Sequence, residues 1–482
     1  MTEAQMAFSS ISELGALLRK HSVSSVELTQ MYLRRLERIG KRLNAVVTLM
    51  PDRALAEAKR ADADLAAGTD HGPLHGIPYG VKDLLAAKGA PTTWGAAPYR
   101  DQVFKQDATV IKLLGAAGAV LIAKLAMIEL AGGLGYNSAN ASFTGPCKNP
   151  WNTNYWTGGS SSGPGAAMGA GLVAFAIGSE TSGSIVNPST YCGITGLRPT
   201  YGRVSRHGAM ALCWTLDKIG PMCRTAEDTG LVLAAIAGRD PNDPTSSSRE
   251  VPLYSLKPGA PGSVRVRDVL DLVKPSRLRL GLVKDSTKKA QPEVVKNFDK
   301  ALGVLRKFAD IEEVAVPAHR YGASIVTILA AEGAAAFRDI IQDGRAATLA
   351  DPDDRRGGYS YLTVPAVDYV DAMRERAPIK RGFSKLFKRF DALVAPTFGS
   401  VALPIGVSFD KAYPGIEGGS PIASANLAGI PAIAVPNGFG QQGLPTGLSF
   451  IGPAFSEADL IALGDEFQSR TDWHRRHPPL AL

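Results

Sequence analysis

The sequence is poor in the residues that build disulfide or metal centres. Its 482 residues include four cysteines, Cys147, Cys192, Cys213 and Cys223, and no CxxC pair. The seven histidines show neither HxH nor HExxH spacing, and no Cys/His cluster has the spacing of zinc ligands. These absences exclude a disulfide framework and predict reduced, buried thiols with no bound metal.

Long apolar runs are also absent. No run approaches the ~18 residues that a helix needs to span a bilayer. The first residues, MTEAQMAFSS, lack the basic and then apolar pattern of a secretory signal. We therefore expect a cytoplasmic protein that makes no membrane contact.

The composition is that of a globular protein, with 45% hydrophobic and 20% charged residues. The net charge of +8 raises the question of a nucleic-acid partner. The densest basic group, however, has helical spacing and predicts a solvated helix face: Lys380, Arg381, Lys385, Lys388 and Arg389. A nucleic-acid partner is therefore not expected.

Apolar strand-like runs alternate with helical patterns along the chain. Residues 119–125 and 172–178 are typical of buried strands, and residues 292–308, 323–347 and 367–390 of long helices. This rhythm predicts a single large α/β/α domain with a central mixed, mostly parallel twisted sheet covered by helices. The domain would span 1–482, with N-terminal helices at 1–70, a core at 71–230 and a helical and sheet part at 231–482. We expect a mobile loop at 353–358 and irregular structure at 250–275.

Two Gly/Ser-rich turns bracket residues 158–188. The first is GGSSSGPG at 158–165 and the second lies within SETSGSIVNP at 179–188. Glycine lets backbone amides approach a ligand closely, because it tolerates angles that other residues avoid. The turns are either the two sides of one site or two ordinary surface turns.

The first turn formally satisfies GxSxG, with Ser161 at its centre. That nucleophile motif requires a hydrophobic strand directly before it, and WNTNYWTG is not one. A phosphate-binding loop would require a following GK[ST], which is missing. Neither interpretation is favoured.

A third interpretation combines serines with a lysine. A serine hydroxyl is a poor nucleophile until a base takes its proton, and a lysine can be that base only when it is neutral. Burial disfavours the charged form, and a second serine can relay the proton. Spacing alone does not single out Lys82 among the lysines of this chain.

Several blocks of the sequence strongly resemble the amidase signature family, over nearly the whole chain and most densely from Leu74 to Asp228. GVKD at 80–83 is similar to the catalytic-lysine segment of the family, GGSSSGPG to its first loop, and SETSGSIVNP to its nucleophile segment. Ser160 and Ser184 are 24 residues apart, as in the family. GLRPTYGRVSRHG, LDKIGPMCRTAED and NLAGIPAIAVPNG are further similar blocks.

The resemblance implies a role for each matched residue. Ser184 would be the nucleophile, Ser160 a relay that follows a cis Gly159–Ser160 bond, and Lys82 the base. An oxyanion hole would be formed by the N–H groups of Thr181, Ser182, Gly183 and Ser184. The implied activity is hydrolysis of an amide through an acyl-enzyme, without a cofactor.

Four positions depart from the family pattern. Glu180 stands where the family has Asp, Ser162 and Ser182 replace glycines, and Val186 replaces a common Arg. The turn keeps its backbone donors if Ser182 accepts the required angles. We expect activity to survive.

The alternative within the family is the A subunit of glutamine-dependent tRNA amidotransferases. Aligning FDALVAPT places Arg376 at that subunit's glutamine-carboxylate arginine, whereas the alternative for Arg376 is a surface helix residue. Aligning NLAG places Gly419 where the glutamine-ammonium aspartate belongs. Because an ammonium would lack its partner there, a stand-alone amidase is favoured. A catalytically inactive scaffold is a second alternative.

The substrate stays open among small amides, esters and carbamates (urethanes). Five residues between Lys82 and the first turn are candidate substrate contacts: Met127, Gly132, Gly133, Tyr136 and Asn137. Trp156 and Trp214 are either apolar pocket walls or core residues. A homo-oligomer is left open.

Overall fold

One continuous sheet crosses the protein. A computed structural model describes residues 1–249 and 277–479, so the irregular structure expected at 250–275 lies outside the described residues. Eleven strands run through these residues: β1 (Val46–Leu49), β2 (Pro78–Lys82), β3 (Val120–Leu125), β4 (Phe175–Glu180), β5 (Thr195–Arg198), β6 (Lys218–Cys223), β7 (Leu278–Val283), β8 (Ala309–Val314), β9 (Ala392–Pro396), β10 (Ala432–Phe439) and β11 (Pro445–Ile451).

Sixteen α-helices belong to the same described residues. They are α1 (Glu3–Ala7), α2 (Ile11–Arg19), α3 (Ser25–Arg35), α4 (Pro51–Ala66), α5 (Thr109–Ala116), α6 (Ser162–Gly169), α7 (Val186–Cys192), α8 (Ala226–Ile236), α9 (Pro292–Leu305), α10 (Tyr321–Ala336), α11 (Arg338–Gln342), α12 (Pro352–Tyr361), α13 (Ala366–Leu386), α14 (Phe409–Ala412), α15 (Ile422–Ala428) and α16 (Glu457–Ser469).

The sheet has the order β1-β3-β2-β4-β6-β5-β10-β11-β9-β7-β8. The predicted α/β architecture with a mixed sheet is confirmed. The prediction that the sheet is mostly parallel was wrong. Four neighbouring pairs of strands are parallel, and six are antiparallel. Apolar runs predict buried strands without their direction, which depends on how each connection crosses the sheet. The division into one domain with three parts stays a prediction.

The centre of the sheet brings the family-like segments together. Strands β2 and β4 are parallel neighbours, so Lys82 at the end of β2 and Glu180 at the end of β4 lie at the same edge. Helix α6 follows the first Gly/Ser turn and packs against β4 and α7. Every residue of α6 and α7 is buried, so both turns are held by core helices.

Most of the predicted helices are confirmed, and the bounds of one helix and one strand differ from the prediction. Ser24 caps α3, its hydroxyl accepting a hydrogen bond from the N–H of Glu27 at 3.1 Å. The long helix expected at 323–347 is interrupted at Phe337, where α10 ends and α11 begins. The strand expected from Leu172 begins only at Phe175. The five cationic side chains near the end of α13 are exposed, as predicted.

The loop expected at 353–358 is wrong, because these residues lie inside α12. Asp351 caps this helix by accepting a hydrogen bond from the N–H of Asp353 at 2.8 Å, and Pro352 occupies its first turn. The Gly357–Gly358 pair suggested a loop, but it serves a close contact instead. A Cβ atom at Gly357 would lie 1.7 Å from the carbonyl oxygen of Leu134.

Two expectations from composition concern the state of the cysteines and the presence of membrane-spanning helices. All four cysteines are free and buried. Among the described residues, no helix combines the length and the apolar character that crossing a membrane requires.

The contact at Gly357 predicts a large effect of one methyl group. We expect Gly357→Ala to lower the free energy of unfolding by about 1–3 kcal/mol, because α12 must move away from Leu134. The matched control is Gly303→Ala in the exposed part of α9, where nothing lies within 4 Å of the new Cβ. That change removes a helical glycine and is expected to be neutral or stabilising by up to about 1 kcal/mol. Urea unfolding measures both, and equal stability of the two variants would contradict the packing argument.

Candidate active site

Lys82 forms the centre of the site. Its side chain is fully buried, and its Nζ donates hydrogen bonds to Ser160 Oγ at 2.8 Å and to Ser179 Oγ at 2.9 Å. No carboxylate of the described residues lies within ion-pair distance of it. Burial lowers the pKa of Lys82 to about 7, against the opposing influence of Asp217 and Glu180. The amine is therefore near the midpoint of its titration at neutral pH, with the Ser160 hydroxyl as a hydrogen-bond partner.

A second lysine neutralises the carboxylate next to Lys82. Lys124 Nζ lies 2.8 Å from Asp83 Oδ1, and both side chains are fully buried. Asp83 also accepts hydrogen bonds from the N–H and the hydroxyl of Thr93. Asp83 is thus engaged elsewhere and leaves Lys82 free for the serines.

The first Gly/Ser turn carries Ser160 on tightly constrained backbone. The Gly159–Ser160 peptide bond is cis, as the resemblance implied. The N–H of Gly159 donates to Asn187 Oδ1 at 2.9 Å, and the Ser160 carbonyl accepts from the N–H of Ile128 at 3.1 Å. A Cβ at Gly159 would lie 2.7 Å from the Trp156 ring, so a larger residue does not fit.

The second turn carries Ser184. Gly183 has a φ of 90°, whereas Ser182 lies outside the positive-φ region, so the serine at 182 is compatible with the turn. The N–H of Ser161 donates to the Ser184 carbonyl at 3.3 Å, which ties the two turns together. Within the described residues, Ser160 Oγ makes no direct hydrogen bond to Ser184 Oγ. The structure therefore joins Lys82 to Ser160 by side chains and Ser160 to Ser184 through neighbouring backbone.

Glu180 supports the second turn from behind. Its carboxylate accepts hydrogen bonds from the N–H groups of Ile185 at 2.9 Å and Val186 at 3.1 Å. Arg198 Nη1 at 3.0 Å and Asn426 Nδ2 at 3.0 Å complete the shell. Burial alone would raise the pKa of Glu180, but Arg198 and Lys218 reverse this and lower it to about 2. Arg198 is thus the cation that pairs with Glu180 behind this turn.

Thr181 is held from two sides at the front of the turn. Its hydroxyl donates to Asp217 Oδ1 at 2.7 Å, and its carbonyl accepts from Lys218 Nζ at 3.3 Å. Lys218 Nζ also donates to Asn426 Oδ1 at 2.7 Å. Burial, with Arg198 close by, lowers the pKa of Lys218. The turn is therefore clamped at both ends by buried polar groups.

Several of these supporting residues were not predicted from the sequence. Ser179 was noted only as part of a block, and Lys218 and Asn426 lie in the family-like blocks LDKIGPMCRTAED and NLAGIPAIAVPNG. The blocks were the available signal, but no rule of spacing connects residues as distant along the chain as Glu180 and Asn426. Their contacts arise because β4, β6 and α15 converge at one edge of the sheet.

A cavity of about 540 Å³ opens beside Ser179 and Thr181. None of the five candidate substrate contacts lines it, although Ala131 of the same segment does. Met127 is core, Tyr136 packs edge-on to Phe409 at 5.7 Å, and Asn137 Nδ2 donates to Asp410 Oδ1 at 2.7 Å. Gly132 is backed by the Tyr136 ring, and Gly133 by Leu212 and Phe337. Their role as substrate contacts stays a prediction.

Of the two tryptophans, one packs internally and one borders the cavity. Trp156 is buried and stacks on Phe409 at 4.6 Å. Trp214 lines the cavity and is 48% exposed. Trp214 is therefore the tryptophan that an occupant of the cavity can reach.

Arg376 is not the surface residue that one interpretation expected. It is buried on α13, with Nε donating to the Leu427 carbonyl at 3.0 Å and Nη2 to the Thr215 carbonyl at 2.9 Å. These bonds connect α13 to α15 and to the cavity wall. Its assignment as a substrate contact stays a prediction.

Among the described residues, one group of side chains could hold a metal ion, and it lies away from this site. Ligand atoms of Asp64, His71 and His75 lie within 4.8 Å of one another. The His75 Nδ1 atom already accepts the N–H of His71 at 3.0 Å, and His71 Nε2 lies 3.1 Å from Asp64 Oδ2. These three residues precede strand β2 in the chain, whereas Lys82 is the last residue of that strand. An ion there could not touch the serines.

Comparison with known proteins gives concordant matches. A family model described as Amidase matches residues 27–461. The A subunit of the Glutamyl-tRNA(Gln) amidotransferase of Roseiflexus sp. (strain RS-1) is 36% identical over 497 residues, covering 98% of both chains. The structure of native peptide amidase from Stenotrophomonas maltophilia matches with a TM-score of 0.84 and 30% identity over 98% of each chain. The structure of the A subunit of the Glutamyl-tRNA(Gln) amidotransferase from Thermotoga maritima matches with a TM-score of 0.76 and 26% identity, covering 98% of this chain and 97% of that one.

The environment of Glu180 predicts a pH-dependent loss of stability. Its pKa in the folded protein, about 2, lies below the ordinary 4.5, so its contribution is complete above pH 4.5 and is lost as the pH falls toward 2. We expect Glu180→Gln to lower the free energy of unfolding by about 3 kcal/mol at pH 7, because Arg198 is left without a counterion.

Urea unfolding from pH 7 down to pH 3 measures this difference, which should shrink below pH 4.5. The control is Glu417→Gln, which removes the exposed pair with Lys289 and should change stability by less than about 1 kcal/mol. A constant difference between wild type and Glu180→Gln across this range would contradict the assignment.

Proposed function

Because this chain belongs to the Amidase family, the amidase signature enzymes, we propose that it hydrolyses the amide bond of a small molecule through an acyl-enzyme on Ser184. The observation that carries the proposal is the 2.8 Å hydrogen bond between Lys82 Nζ and Ser160 Oγ in a fully buried setting without a carboxylate partner. A buried lysine with a lowered pKa can act as a base at neutral pH. The relay through Ser160 connects that base to the second turn.

The first half of the reaction forms the acyl-enzyme. Ser184 Oγ attacks the substrate carbonyl carbon and passes its proton to Ser160 Oγ, while Ser160 passes its own proton to neutral Lys82. The tetrahedral intermediate then expels the amine, which takes up a proton returned from Lys82 through Ser160. An ester of Ser184 remains, and the amine or ammonia leaves.

The second half releases the carboxylate. Water attacks the acyl carbon and gives up a proton along the same path to Lys82. The second intermediate collapses, Ser184 Oγ regains its proton through Ser160, and a carboxylic acid departs and ionises. The same chemistry would cleave an ester, with an alcohol released in place of the amine. It would also cleave a carbamate, with a carbamic acid released in place of the carboxylic acid.

The second turn is suited to hold the developing oxyanion. Four successive N–H groups, those of Thr181, Ser182, Gly183 and Ser184, donate no hydrogen bond to other described residues. Their donors are thus available to a charged oxygen next to the nucleophile, an arrangement worth about 10²–10³ in rate per donor. Glu180 and Lys218 keep the turn in place before substrate arrives.

The second candidate function is the glutaminase subunit of a tRNA amidotransferase, favoured by the 36% identity to such a protein over 497 residues. Two features weigh against it. Gly419 stands at the position matched to the glutamine-ammonium aspartate, and a Cβ there would lie 2.9 Å from Phe398 Cα, so no side chain fits. Two nitrogens of Arg376 already donate to backbone carbonyls. A stand-alone hydrolase without a protein partner is therefore the preferred function.

Assays of purified protein with single serine variants test the proposal. We expect the chain alone to hydrolyse an anilide and to be labelled by a fluorophosphonate, and Ser184→Ala to lose both. Ser161→Ala is the matched control from the first turn, and it should keep the label. Label on Ser161 instead of Ser184, or activity only after a partner protein is added, would contradict the assignment.

The lowered pKa of Lys82 predicts the pH dependence. Since the base must be neutral, kcat/KM should rise about tenfold per pH unit below pH 7 and level off above it, provided that acylation limits the rate. Lys82→Arg should lose at least about 10²-fold at all pH values, because a guanidinium keeps its proton. Rates measured from pH 5 to pH 9 test this, and a flat wild-type profile would rule out Lys82 as the base.

A further inference from the structure

The cavity lies beside the start of the second turn and opens to the surface. Its inner end is formed by Ser179 and Thr181, and Ser179 Oγ contacts Lys82 directly. Its outer rim includes Tyr201, Arg206 and Trp214. The volume of about 540 Å³ is in the range of pockets that hold small organic molecules. A substrate with its carbonyl at the second turn has this space for one of its substituents.

The cationic groups that line the cavity are already paired. Arg206 Nη2 donates to Thr245 Oγ1 at 2.7 Å, and its Nε lies 3.4 Å from Asp243 Oδ2. Lys218 is occupied by Asn426 and by backbone carbonyls. No lysine or arginine among the described lining residues is left to meet an anionic substituent, and His207 is the other basic side chain of the lining.

The anionic groups are paired as well. Asp217 accepts hydrogen bonds from the Thr181 hydroxyl and from the N–H groups of Leu212 and Cys213, the latter two at 2.9 Å. Asp243 is engaged by Arg206 and by the N–H of Thr245 at 3.0 Å. A charged substituent would therefore lose its water without gaining a counterion, which is unfavourable.

Apolar groups form much of the wall, and an aromatic ring stands at the rim. Leu84, Met210, Leu212 and Ile219 line the inner part. Trp214 is 48% exposed, and its ring makes no aromatic or cation–π contact among the described residues. An exposed indole at the mouth of an apolar cavity offers a stacking surface.

The backbone that carries Trp214 is anchored, although its ring is free. The Trp214 carbonyl accepts hydrogen bonds from the Tyr201 hydroxyl at 2.7 Å and from Arg206. The Arg206 guanidinium in turn lies over the Tyr201 ring at 5.0 Å. The backbone from which the indole extends is thus held in place at the rim of the cavity.

We infer that this cavity selects an uncharged aryl substituent of the substrate and that Trp214 determines this specificity by stacking on the aryl ring. The inference rests on the proposed hydrolase function and deepens it, because it assigns neutral aryl amides and esters as the preferred substrate class. It also assigns free amino acids, which carry charge at both ends, as poor substrates.

Kinetic comparison of two amides tests the role of Trp214. For Trp214→Ala we expect kcat/KM to fall about tenfold or more on 4-nitroacetanilide and to change less than about twofold on acetamide. Trp214→Phe keeps an aromatic face and should retain most of the activity on the anilide. An equal loss on both amides, or no loss on either, would overturn the inference.

Binding to an inactive variant provides a readout that does not need turnover. In Ser184→Ala, calorimetry should detect benzamide but not L-glutamine, and adding Trp214→Ala should weaken benzamide binding about tenfold. Glutamine binding as tight as that of benzamide, or benzamide binding unchanged without Trp214, would overturn the inference.

The two proposals fail in different ways. If benzamide binds through Trp214 but the intact chain hydrolyses no amide, the aryl site stands and the hydrolase does not. If the chain hydrolyses acetamide and the anilide alike and Trp214→Ala changes neither rate, the hydrolase stands and the aryl site is wrong.

Discussion

Everything in this site depends on the Lys82 amine, which is buried and has no counterion among the described residues. Taking an ammonium out of water is unfavourable, and an adjacent carboxylate would normally compensate by holding the proton in place. Lys82 has no such carboxylate among the described residues, because Asp83 is paired with Lys124 and Glu180 is paired with Arg198. Neutral hydroxyls of Ser160 and Ser179 are what remains for Lys82 to contact. A lysine in that position can both accept and return a proton.

The surrounding charges are therefore arranged in separate pairs, each with its own task. The pair of Asp83 and Lys124 secures the end of β2, which carries Lys82. The group of Glu180, Arg198 and Asn426 secures the start of α7, which follows Ser184. Both are fully dehydrated, so losing one member would leave a buried charge and displace the element that it holds. Stability and catalytic geometry are linked through the same residues.

The sheet determines how these groups meet. Parallel neighbours β2 and β4 bring their carboxyl ends to one edge, where both Gly/Ser turns also lie. Antiparallel β6 then delivers Asp217 and Lys218 to the same edge from the opposite direction. The mixed pairing that the apolar pattern did not reveal is thus what places Lys218 beside Thr181 and the cavity beside Ser179 and Thr181.

Local blocks with fixed internal spacing were enough to identify the family, the α/β architecture and the candidate triad. GVKD, the two Gly/Ser turns and the 24-residue interval between the serines are all properties of short segments. The glycines of α12 suggested a loop because a local pattern does not show their contact with Leu134, which is far away along the chain.

The pairing of the charges and the surface that remains open became visible in the folded chain and not in the sequence. The solitary state of Lys82, the burial of Arg376 and the exposed ring of Trp214 all depend on neighbours brought together by strand order. Desolvation and hydrogen bonding act between atoms a few ångströms apart, however distant they are in the chain, and so no local pattern encodes them.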